Sequence, residues 1–271
     1  DGPQPAMTAR PAALAAIRVL PIAAATRGSM GEALTDYAAM RDAGAVAVTD
    51  DGKPILGDAI MLGALQAAAK AALPVIQHAE DTRLTGGCSM NAGPLAFRLG
   101  LRGMPIEAES GLVERDIGLL RQVPKGHLHV AHLSTAKALN AVRAARKQGL
   151  HVTCEVTPHH FTLTEESIGL YDTNAKMNPP LRGEADRAAM IEGLLDGTID
   201  AIATDHAPHA AYEKYQEFDR APNGITGLET ALGLAMRVLH REHRMPLGKM
   251  LGLLCSRPAQ ALSVRNGGGL A

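Results

Sequence analysis

Short apolar runs alternate with longer segments of helical hydrophobic spacing along most of the chain, and this alternation predicts its elements. The apolar runs predict strands at residues 17–24, 45–48, 74–77, 127–131, 151–156 and 199–203. The helical spacing predicts helices at residues 32–43, 58–71, 107–122, 135–148, 184–195, 227–243, 246–254 and 258–264. Strands that alternate with helices of this length form βαβ units around a parallel sheet. The pattern therefore predicts an α/β fold, and a chain of 271 residues suits one domain of this class.

Titratable side chains follow the apolar runs at the points where the predicted strands end. They are Asp50, Asp51, His78, Glu80, Asp81, His132, His159, His160, Asp205, His206 and His209. In a (β/α) barrel the carboxyl ends of all strands meet at one face, where enzymes of this architecture have their active sites. Imidazole and carboxylate groups without cysteine suit zinc, or a similar divalent ion, in an open catalytic site. The sequence therefore predicts a metal site assembled from several strand ends.

Each of these residues also has a structural interpretation when taken alone. A single histidine near a strand end is more often a hydrogen-bonded structural group than a ligand, and the Asp-Asp-Gly sequence at 50–52 is a common turn. A supporting role is as compatible as a direct one with Glu80, Asp81, His159, His160 and His206. His127 and His129 are expected to be structural. The convergence of several strand ends on one face favours the metal site over these separate interpretations.

The composition excludes several classes of function. Hydrophobic residues make up 46% and charged residues 20%, as in soluble globular domains with a sizeable core. The formal net charge of −1, without a basic block, argues against a nucleic-acid partner. No apolar run approaches the roughly 20 residues that span a bilayer, and no phosphate-binding glycine motif follows a strand. The cysteines Cys88, Cys154 and Cys255 are few and widely spaced, which predicts reduced thiols in a cytoplasmic protein.

A family resemblance is carried by several segments in a fixed order. They are GAVAVTDDGKPI, PVIQHAED, HVAHLST, EVTPHHFTLTEE, YDTNAKMNPPLR, DGTIDAIATDHAPH and APNGITGLETAL. Together they resemble bacterial dihydroorotases of the amidohydrolase superfamily, over about residues 19–264. The resemblance implies a TIM-type (β/α)8 barrel with a two-zinc centre. It also implies reversible interconversion of N-carbamoyl-L-aspartate and L-dihydroorotate in pyrimidine biosynthesis.

The same resemblance implies roles for individual residues. Asp51 corresponds to the carboxylate that bridges the two zinc ions, and His78 and His132 correspond to ligands of the second ion. Asp205 corresponds to the remaining ligand of the first ion and to the proton shuttle. The implied substrate-binding positions are Asn178, His209, Asn223 and Gly224. In related hydantoinases and allantoinases a carbamylated lysine takes the place of Asp51, so the TDDG sequence favours a dihydroorotase.

The chain departs from the family pattern at its start. The family has an HxH metal motif on its first strand, whereas the HxH of this chain, at 127–129, belongs to a later strand. We therefore expect residues 1–271 to form a single partial barrel without its first strands. Residues 255–271 are expected to begin the return toward a small β-sandwich.

Several interpretations of function remain open from the sequence. In the first, the HxH segment is part of the intact protein, and the protein is an active dihydroorotase. In the second, the chain is a non-catalytic dihydroorotase-like subunit that supports aspartate transcarbamoylase. In the third, it is a related allantoinase or hydantoinase. A plain binding module would leave the titratable strand ends unexplained. The expected partners are a small-molecule substrate, a second copy of the chain and aspartate transcarbamoylase, with no nucleic acid and no membrane. Residues 210–219 follow the predicted site, and either a mobile loop or an ordinary exposed connection fits them.

Overall fold

A computed structural model describes residues 19–264 and 267–268 of the chain. Within these residues the strands are β1 (Ile22–Ala24), β2 (Ala47–Thr49), β3 (Val75–Gln77), β4 (Met90–Asn91), β5 (Gly103–Met104), β6 (Leu128–Val130), β7 (Val152–Val156) and β8 (Ala201–Ile202). A six-stranded sheet has the order β1-β2-β3-β6-β7-β8, and β4 pairs with β5 in a separate two-stranded sheet. All of the strand pairs are parallel. The predicted parallel sheet is confirmed, and its carboxyl ends lie along one edge.

The helices of the described residues connect these strands and surround the sheet. The α-helices are Tyr37–Asp42, Asp58–Ala71, Thr82–Thr85, Pro94–Leu99, Ile106–Leu120, Ala136–Lys147, Pro158–Thr162, Glu184–Asp196, Ala211–Lys214, Ala231–Ala235, Leu247–Gly252 and Ser256–Ala261, and Met236–Glu242 is a π-helix. Short 3-10 turns occur at Arg27–Ser29, Glu165–Ile168 and Thr173–Ala175. Among the described helices, none is long and apolar enough to cross a membrane.

The two faces of the large sheet have different characters. Val75, Leu128 and Val152 are buried in the main hydrophobic core, together with residues of the surrounding helices. Because side chains alternate between faces along a strand, the residue that follows each of these on its strand points to the opposite face. There His129 of β6 lies in register with Ile76 on one side and Thr153 on the other. The helix-covered face therefore holds the core, and the other face carries polar groups that lead toward the strand ends.

Three predicted helices differ from the observed ones. The helix predicted at 32–43 begins only at Tyr37, because Asp36 accepts a hydrogen bond from the Ala39 N–H and caps the helix there. The helix predicted at 227–243 divides into the α-helix Ala231–Ala235 and the π-helix Met236–Glu242. The helix predicted at 258–264 occupies Ser256–Ala261 instead. The predicted return toward a β-sandwich at 255–271 stays a prediction, since residues 265, 266 and 269–271 lie outside the described part, as do residues 17 and 18 of the first predicted strand.

Candidate metal and substrate site

Three side chains at the carboxyl ends of neighbouring strands face a common space. Asp51 follows β2, His78 follows β3 and His132 follows β6. Asp51 Oδ1 lies 3.6 Å from His78 Nδ1 and 3.4 Å from His132 Nε2, and the two nitrogens are 3.0 Å apart. Both histidines are buried, whereas the Asp51 side chain is 48% exposed. The site is therefore enclosed on its imidazole side and open on its carboxylate side.

The chemistry and spacing of these three atoms fit a divalent metal ion. One ligand atom from each residue lies within 4.8 Å of the others. The ligand atoms of a tetrahedral zinc ion, each about 2.0–2.2 Å from the metal, are roughly 3.3–3.6 Å from one another. Imidazole nitrogen and carboxylate oxygen both suit ions of this kind. The described residues thus include a group able to hold a metal ion.

The backbone is strained at two of the strand ends. His132 has a φ of 30° and Asp205, which follows β8, has a φ of 43°. Side chains rarely adopt this left-handed region, and each such residue costs of order 1–3 kcal/mol. The surrounding hydrogen bonds hold the strand end at His132 in place, because the next residue, Leu133, donates its N–H to the Glu155 carbonyl. The direction of the His132 side chain is therefore imposed by the fold.

Charge within the cluster is strongly coupled. The hydrogen bond with His132 is the largest influence on Asp51 and lowers the pKa of its carboxyl group to about 2. Burial alone would lower the pKa of His132, but the hydrogen bond and negative charge of Asp51 raise it to about 9. Burial also raises the pKa of Asp205. A cation bound between Asp51 and His132 replaces a proton, so its affinity rises with pH.

A cavity of about 230 Å³ opens beside the three side chains. All of the residues predicted as ligands or substrate contacts, except His209, line it: Asp51, His78, His132, Asn178, Asp205, Asn223 and Gly224. Asp205 borders this cavity but is outside the close group of three ligand atoms. The structure thus brings the predicted residues together in one place, and the role of each stays a prediction.

Asp50 and Asp51 are adjacent in sequence but have different surroundings. The Asp50 carboxylate is buried and accepts hydrogen bonds from the N–H and hydroxyl of Thr26, which follows β1. It therefore joins the ends of β1 and β2 and does not face the cavity. Asp51 is the residue of the pair that faces His78 and His132.

Glu80 supports the site from behind His78. Its Oε2 lies 3.0 Å from His78 Nε2 and accepts a 2.7 Å hydrogen bond from Asn178 Nδ2, while the Thr85 hydroxyl donates to Oε1. Burial alone would raise the pKa of Glu80, but the hydrogen bonds from these three residues lower it to about 2. Glu80 is therefore an ionised carboxylate between a predicted ligand and a predicted substrate contact.

Three of the predicted substrate-binding residues, His209, Asn223 and Gly224, lie in the segment that follows β8. His209 Nε2 donates to the Asn223 carbonyl over 2.9 Å, and Gly224 donates its N–H to the Lys176 carbonyl. Gly224 has a φ of 152°, and an added Cβ would lie 2.5 Å from the Ala207 carbonyl oxygen. This close approach requires glycine. His209 therefore holds the loop in place, and the loop lines the cavity. His209 itself does not line it.

His206 supports the same loop from the other side. Its Nδ1 accepts hydrogen bonds from the N–H groups of Gly227 and Leu228, at 3.0 and 3.3 Å. A short bridge also pairs His206 with Ile225. Of the two interpretations of His206, the geometry favours the supporting one.

Three of the remaining histidines at strand ends and within strands have hydrogen-bond partners that suit a structural role. His127 Nε2 and His129 Nδ1 each lie 2.8 Å from the Thr153 hydroxyl, and His129 Nε2 lies 3.2 Å from Glu155. His160 is buried between the Thr157 hydroxyl and the Pro179 carbonyl. His159 is also buried, and its Nε2 has no hydrogen-bond partner among the described residues.

Two residues that sequence reasoning missed secure the loop that follows His132. The buried carboxylate of Glu109 accepts hydrogen bonds from the N–H groups and hydroxyls of Ser134 and Thr135. Arg182 donates to Ser134 Oγ over 3.0 Å and lies 3.9 Å from Glu109. The arginine ends the KMNPPLR segment, so its position in that motif was the available signal. Its partners lie far away in sequence, and only the fold reveals them.

Residues 210–219 form an anchored connection in this structure. They contain the short helix Ala211–Lys214, and Lys214 Nζ donates to the carbonyls of Thr173 and Pro222 at 3.0 and 2.8 Å. Lys176 Nζ donates to the Asp219 carbonyl over 3.1 Å. These ammonium–carbonyl contacts favour the interpretation of an ordinary exposed connection over that of a mobile loop.

Comparison with known proteins identifies relatives over most of the chain. The sequence model of the family described as "Dihydro-orotase-like" matches residues 4–138. A dihydroorotase from Anaeromyxobacter sp. (strain K) is 48% identical over 261 residues, which is 96% of this chain and 60% of that protein. A dihydroorotase from Desulforapulum autotrophicum is 45% identical, over 92% of this chain and 58% of that protein. The chain therefore spans about three fifths of the length of these curated relatives.

Solved structures share the fold at lower sequence identity. An L-hydantoinase (dihydropyrimidinase) from Arthrobacter aurescens has a TM-score of 0.77 and 22% identity, covering 92% of this chain and 57% of that one. A D-hydantoinase has a TM-score of 0.76 and 21% identity over the same shares. The predicted α/β fold of the TIM-barrel type is confirmed. On its sequence relatives, the chain belongs to the dihydroorotase-like family.

Proposed function

We propose that the protein is a metal-dependent cyclic amidohydrolase that interconverts N-carbamoyl-L-aspartate and L-dihydroorotate in pyrimidine biosynthesis. The observation that carries this proposal is the convergence of Asp51, His78 and His132 within 4.8 Å beside a cavity that Asp205 also lines. The curated relatives that support it are named dihydroorotases at 45–48% identity. The same names favour it over the allantoinase or hydantoinase alternative.

We propose zinc as the metal, held by Asp51, His78 and His132, with Asp205 as a further ligand of a two-ion centre. Bound zinc supplies a Lewis acid for the amide carbonyl and lowers the pKa of water to about 7. Asp205 accepts a proton from the attacking water and delivers it to the ring nitrogen as the C–N bond breaks. Burial raises the pKa of Asp205 above the ordinary range of an aspartate, and a carboxylate with a raised pKa is a better proton acceptor.

We propose that the substrate is bound by Asn223 and Gly224 of the loop and by the side chain of Asn178. Asn178 and the backbone of Asn223 and Gly224 line the cavity, and they supply amide groups to a ring that carries carbonyl and N–H groups. The family resemblance assigns the substrate carboxylate to His209, and we keep that role as a proposal, although in this structure His209 does not line the cavity and its Nε2 donates to the Asn223 carbonyl. Because the Asp51 side chain is 48% exposed, we propose that the substrate enters the site from that side.

Turnover of the two substrates tests this proposal. Zinc-loaded protein is expected to hydrolyse L-dihydroorotate and to form it from N-carbamoyl-L-aspartate, and to leave hydantoin and allantoin unchanged. Asp205→Asn is expected to lower kcat by about 10²–10⁴, because the proton-transfer group is lost. Asp42→Asn, an exposed carboxylate outside the cavity, is the matched control. Full activity in Asp205→Asn, or preference for a hydantoin, would contradict the proposal.

The assembly and location of the protein are proposed from the family resemblance. We keep the homo-oligomer, the aspartate transcarbamoylase partner and the cytoplasmic location as expectations from the family resemblance. Sedimentation of the purified protein, alone and mixed with aspartate transcarbamoylase, distinguishes a monomer from an oligomer and from a mixed complex. A catalytically inert chain that sediments with aspartate transcarbamoylase would favour the subunit alternative.

A further inference from the structure

Glu80 contacts two functional side chains through a single oxygen atom. Oε2 is 3.0 Å from His78 Nε2 and 2.7 Å from Asn178 Nδ2, and the Thr85 hydroxyl occupies the other oxygen. Glu80 and His78 are buried, so these contacts are shielded from bulk water. The carboxylate therefore links a predicted metal ligand with a residue of the substrate cavity.

The contact with Glu80 determines which nitrogen of His78 carries a proton. Three hydrogen-bonding groups surround the Glu80 carboxylate, and a carboxylate oxygen accepts, so His78 Nε2 is the donor in this contact. In a neutral imidazole the lone pair then lies on Nδ1, the atom that faces Asp51 Oδ1 and His132 Nε2. His132 differs, since its Nδ1 is buried without a hydrogen-bond partner in the described part of the chain. Of the two imidazoles, only that of His78 has a carboxylate bonded to the nitrogen that faces away from the site, within the described part of the chain.

The same carboxylate determines the orientation of the Asn178 amide. The NH2 group must point to Glu80, because the opposite orientation would place two acceptor oxygens 2.7 Å apart. Asn178 Oδ1 is then a buried acceptor, and it has no partner among the described residues. Asn178 lines both the site cavity and a smaller neighbouring cavity of about 90 Å³ that Glu80 also borders. Its remaining hydrogen-bonding capacity is therefore that of an acceptor.

We infer that Glu80 is a positioning residue that fixes His78 as an Nδ1 metal ligand and Asn178 as a hydrogen-bond acceptor for an N–H group of the substrate. The part that concerns the substrate rests on the proposed function. It gives Asn178 a defined specificity: a cyclic amide or ureide N–H matches its oxygen, whereas a carboxylate, which only accepts, does not.

Zinc affinity tests the part that concerns His78. In Glu80→Gln, the amide oxygen can still accept from His78 and Asn178, but the negative charge that strengthens His78 as a ligand is lost, and the dissociation constant for Zn²⁺ is expected to rise 10–100-fold. Thr85→Val removes only the contact to the other oxygen and is the matched control, with a change below about threefold. Competition with a chromophoric chelator measures both values. A change below tenfold in Glu80→Gln, or an equal change in Thr85→Val, would overturn this part.

Nitrogen NMR of the unsubstituted protein tests the same assignment without a variant. His78 is expected in the Nε2–H form before zinc is added, and an Nδ1–H form would overturn the inference. Neither measurement requires turnover, so an inactive protein that passes both contradicts the proposed function alone.

Binding of ring-methylated substrates tests the part that concerns Asn178. Calorimetry with L-dihydroorotate and its N-methyl derivatives is expected to give at least tenfold weaker binding when the contacted N–H is methylated, because the buried oxygen is then left unpaired. In Asn178→Ala the ratio is expected to fall toward one, while the Zn²⁺ dissociation constant changes less than threefold. Equal binding of all derivatives to the unsubstituted protein, or an unchanged ratio in Asn178→Ala, would overturn this part.

Discussion

At the scale of single residues, adjacent side chains of one type serve different purposes according to the face they occupy. Asp50 joins two strand ends through Thr26, and Asp51 faces the two histidines of the site. Successive side chains of an extended segment point to opposite faces. The sequence therefore indicated that a carboxylate would reach the site from β2. The family resemblance, and not the spacing alone, assigned that role to Asp51.

Alanine substitutions of Asp50 and Asp51 are expected to affect different properties, stability in the first case and zinc binding in the second. Asp50→Ala leaves the buried N–H and hydroxyl of Thr26 without an acceptor, so the free energy of unfolding falls by about 1–3 kcal/mol while zinc is retained. Asp51→Ala removes a ligand, so bound zinc falls while stability without zinc changes less. Urea denaturation and metal analysis of both variants check this. Zinc loss in Asp50→Ala with retention in Asp51→Ala would assign the roles the other way.

At the scale of elements, the long periodic segments were predictable and the short ones were not. The helices Asp58–Ala71 and Ile106–Leu120 each span several turns, so their apolar spacing is visible in the sequence. The two-residue strands β4 and β5 are too short to display any period. The π-helix Met236–Glu242 depends on its packing in the fold, which hydrophobic spacing does not encode.

The candidate site was predictable to a similar degree and for a related reason. Its ligands follow strand ends, so a parallel sheet brings them together whatever their distance in sequence. Supporting residues follow no such rule. Glu109 lies within a helix, and it reaches Ser134 and Thr135 only because that helix packs beside β6.

Glu109→Gln tests the support that this helix gives to the loop after His132. An amide group in place of the carboxylate turns one of the two accepting oxygens into an N–H donor and removes the negative charge beside the buried Arg182, so the free energy of unfolding is expected to fall by about 1–3 kcal/mol. Zinc affinity should fall with it, because the loop begins at His132. Glu107→Gln is exposed on the same helix and should change stability by less than about 0.5 kcal/mol. Equal stability of the two variants in thermal unfolding would exclude this support.

At the scale of the whole molecule, buried neutral histidines make stability depend on pH. Burial and the charges of His151 and His129 lower the pKa of His127 to about 3. Burial likewise lowers the pKa of His159 to about 3 and lowers that of His151. Below pH 6.5 the unfolded chain takes up protons at these histidines that the folded protein does not. Their contribution to stability is therefore present above pH 6.5 and is lost as the pH falls toward 3.

His127→Gln is expected to reduce this loss. The glutamine amide can still bond to the Thr153 hydroxyl but takes up no proton, so stability should fall less steeply between pH 6.5 and 4. Denaturant unfolding at several pH values measures the slope. His243→Gln, at an exposed position, should leave the slope unchanged. A slope in His127→Gln equal to that of the unsubstituted protein would show that His127 does not contribute.

The convergence of strand ends on a metal site is tested most directly by anomalous diffraction at the zinc edge from crystals of the zinc-loaded protein. The account predicts a peak bonded to Asp51 Oδ1, His78 Nδ1 and His132 Nε2 at about 2.0–2.2 Å. Ordered zinc elsewhere on the protein, with these three atoms unbound, would contradict it.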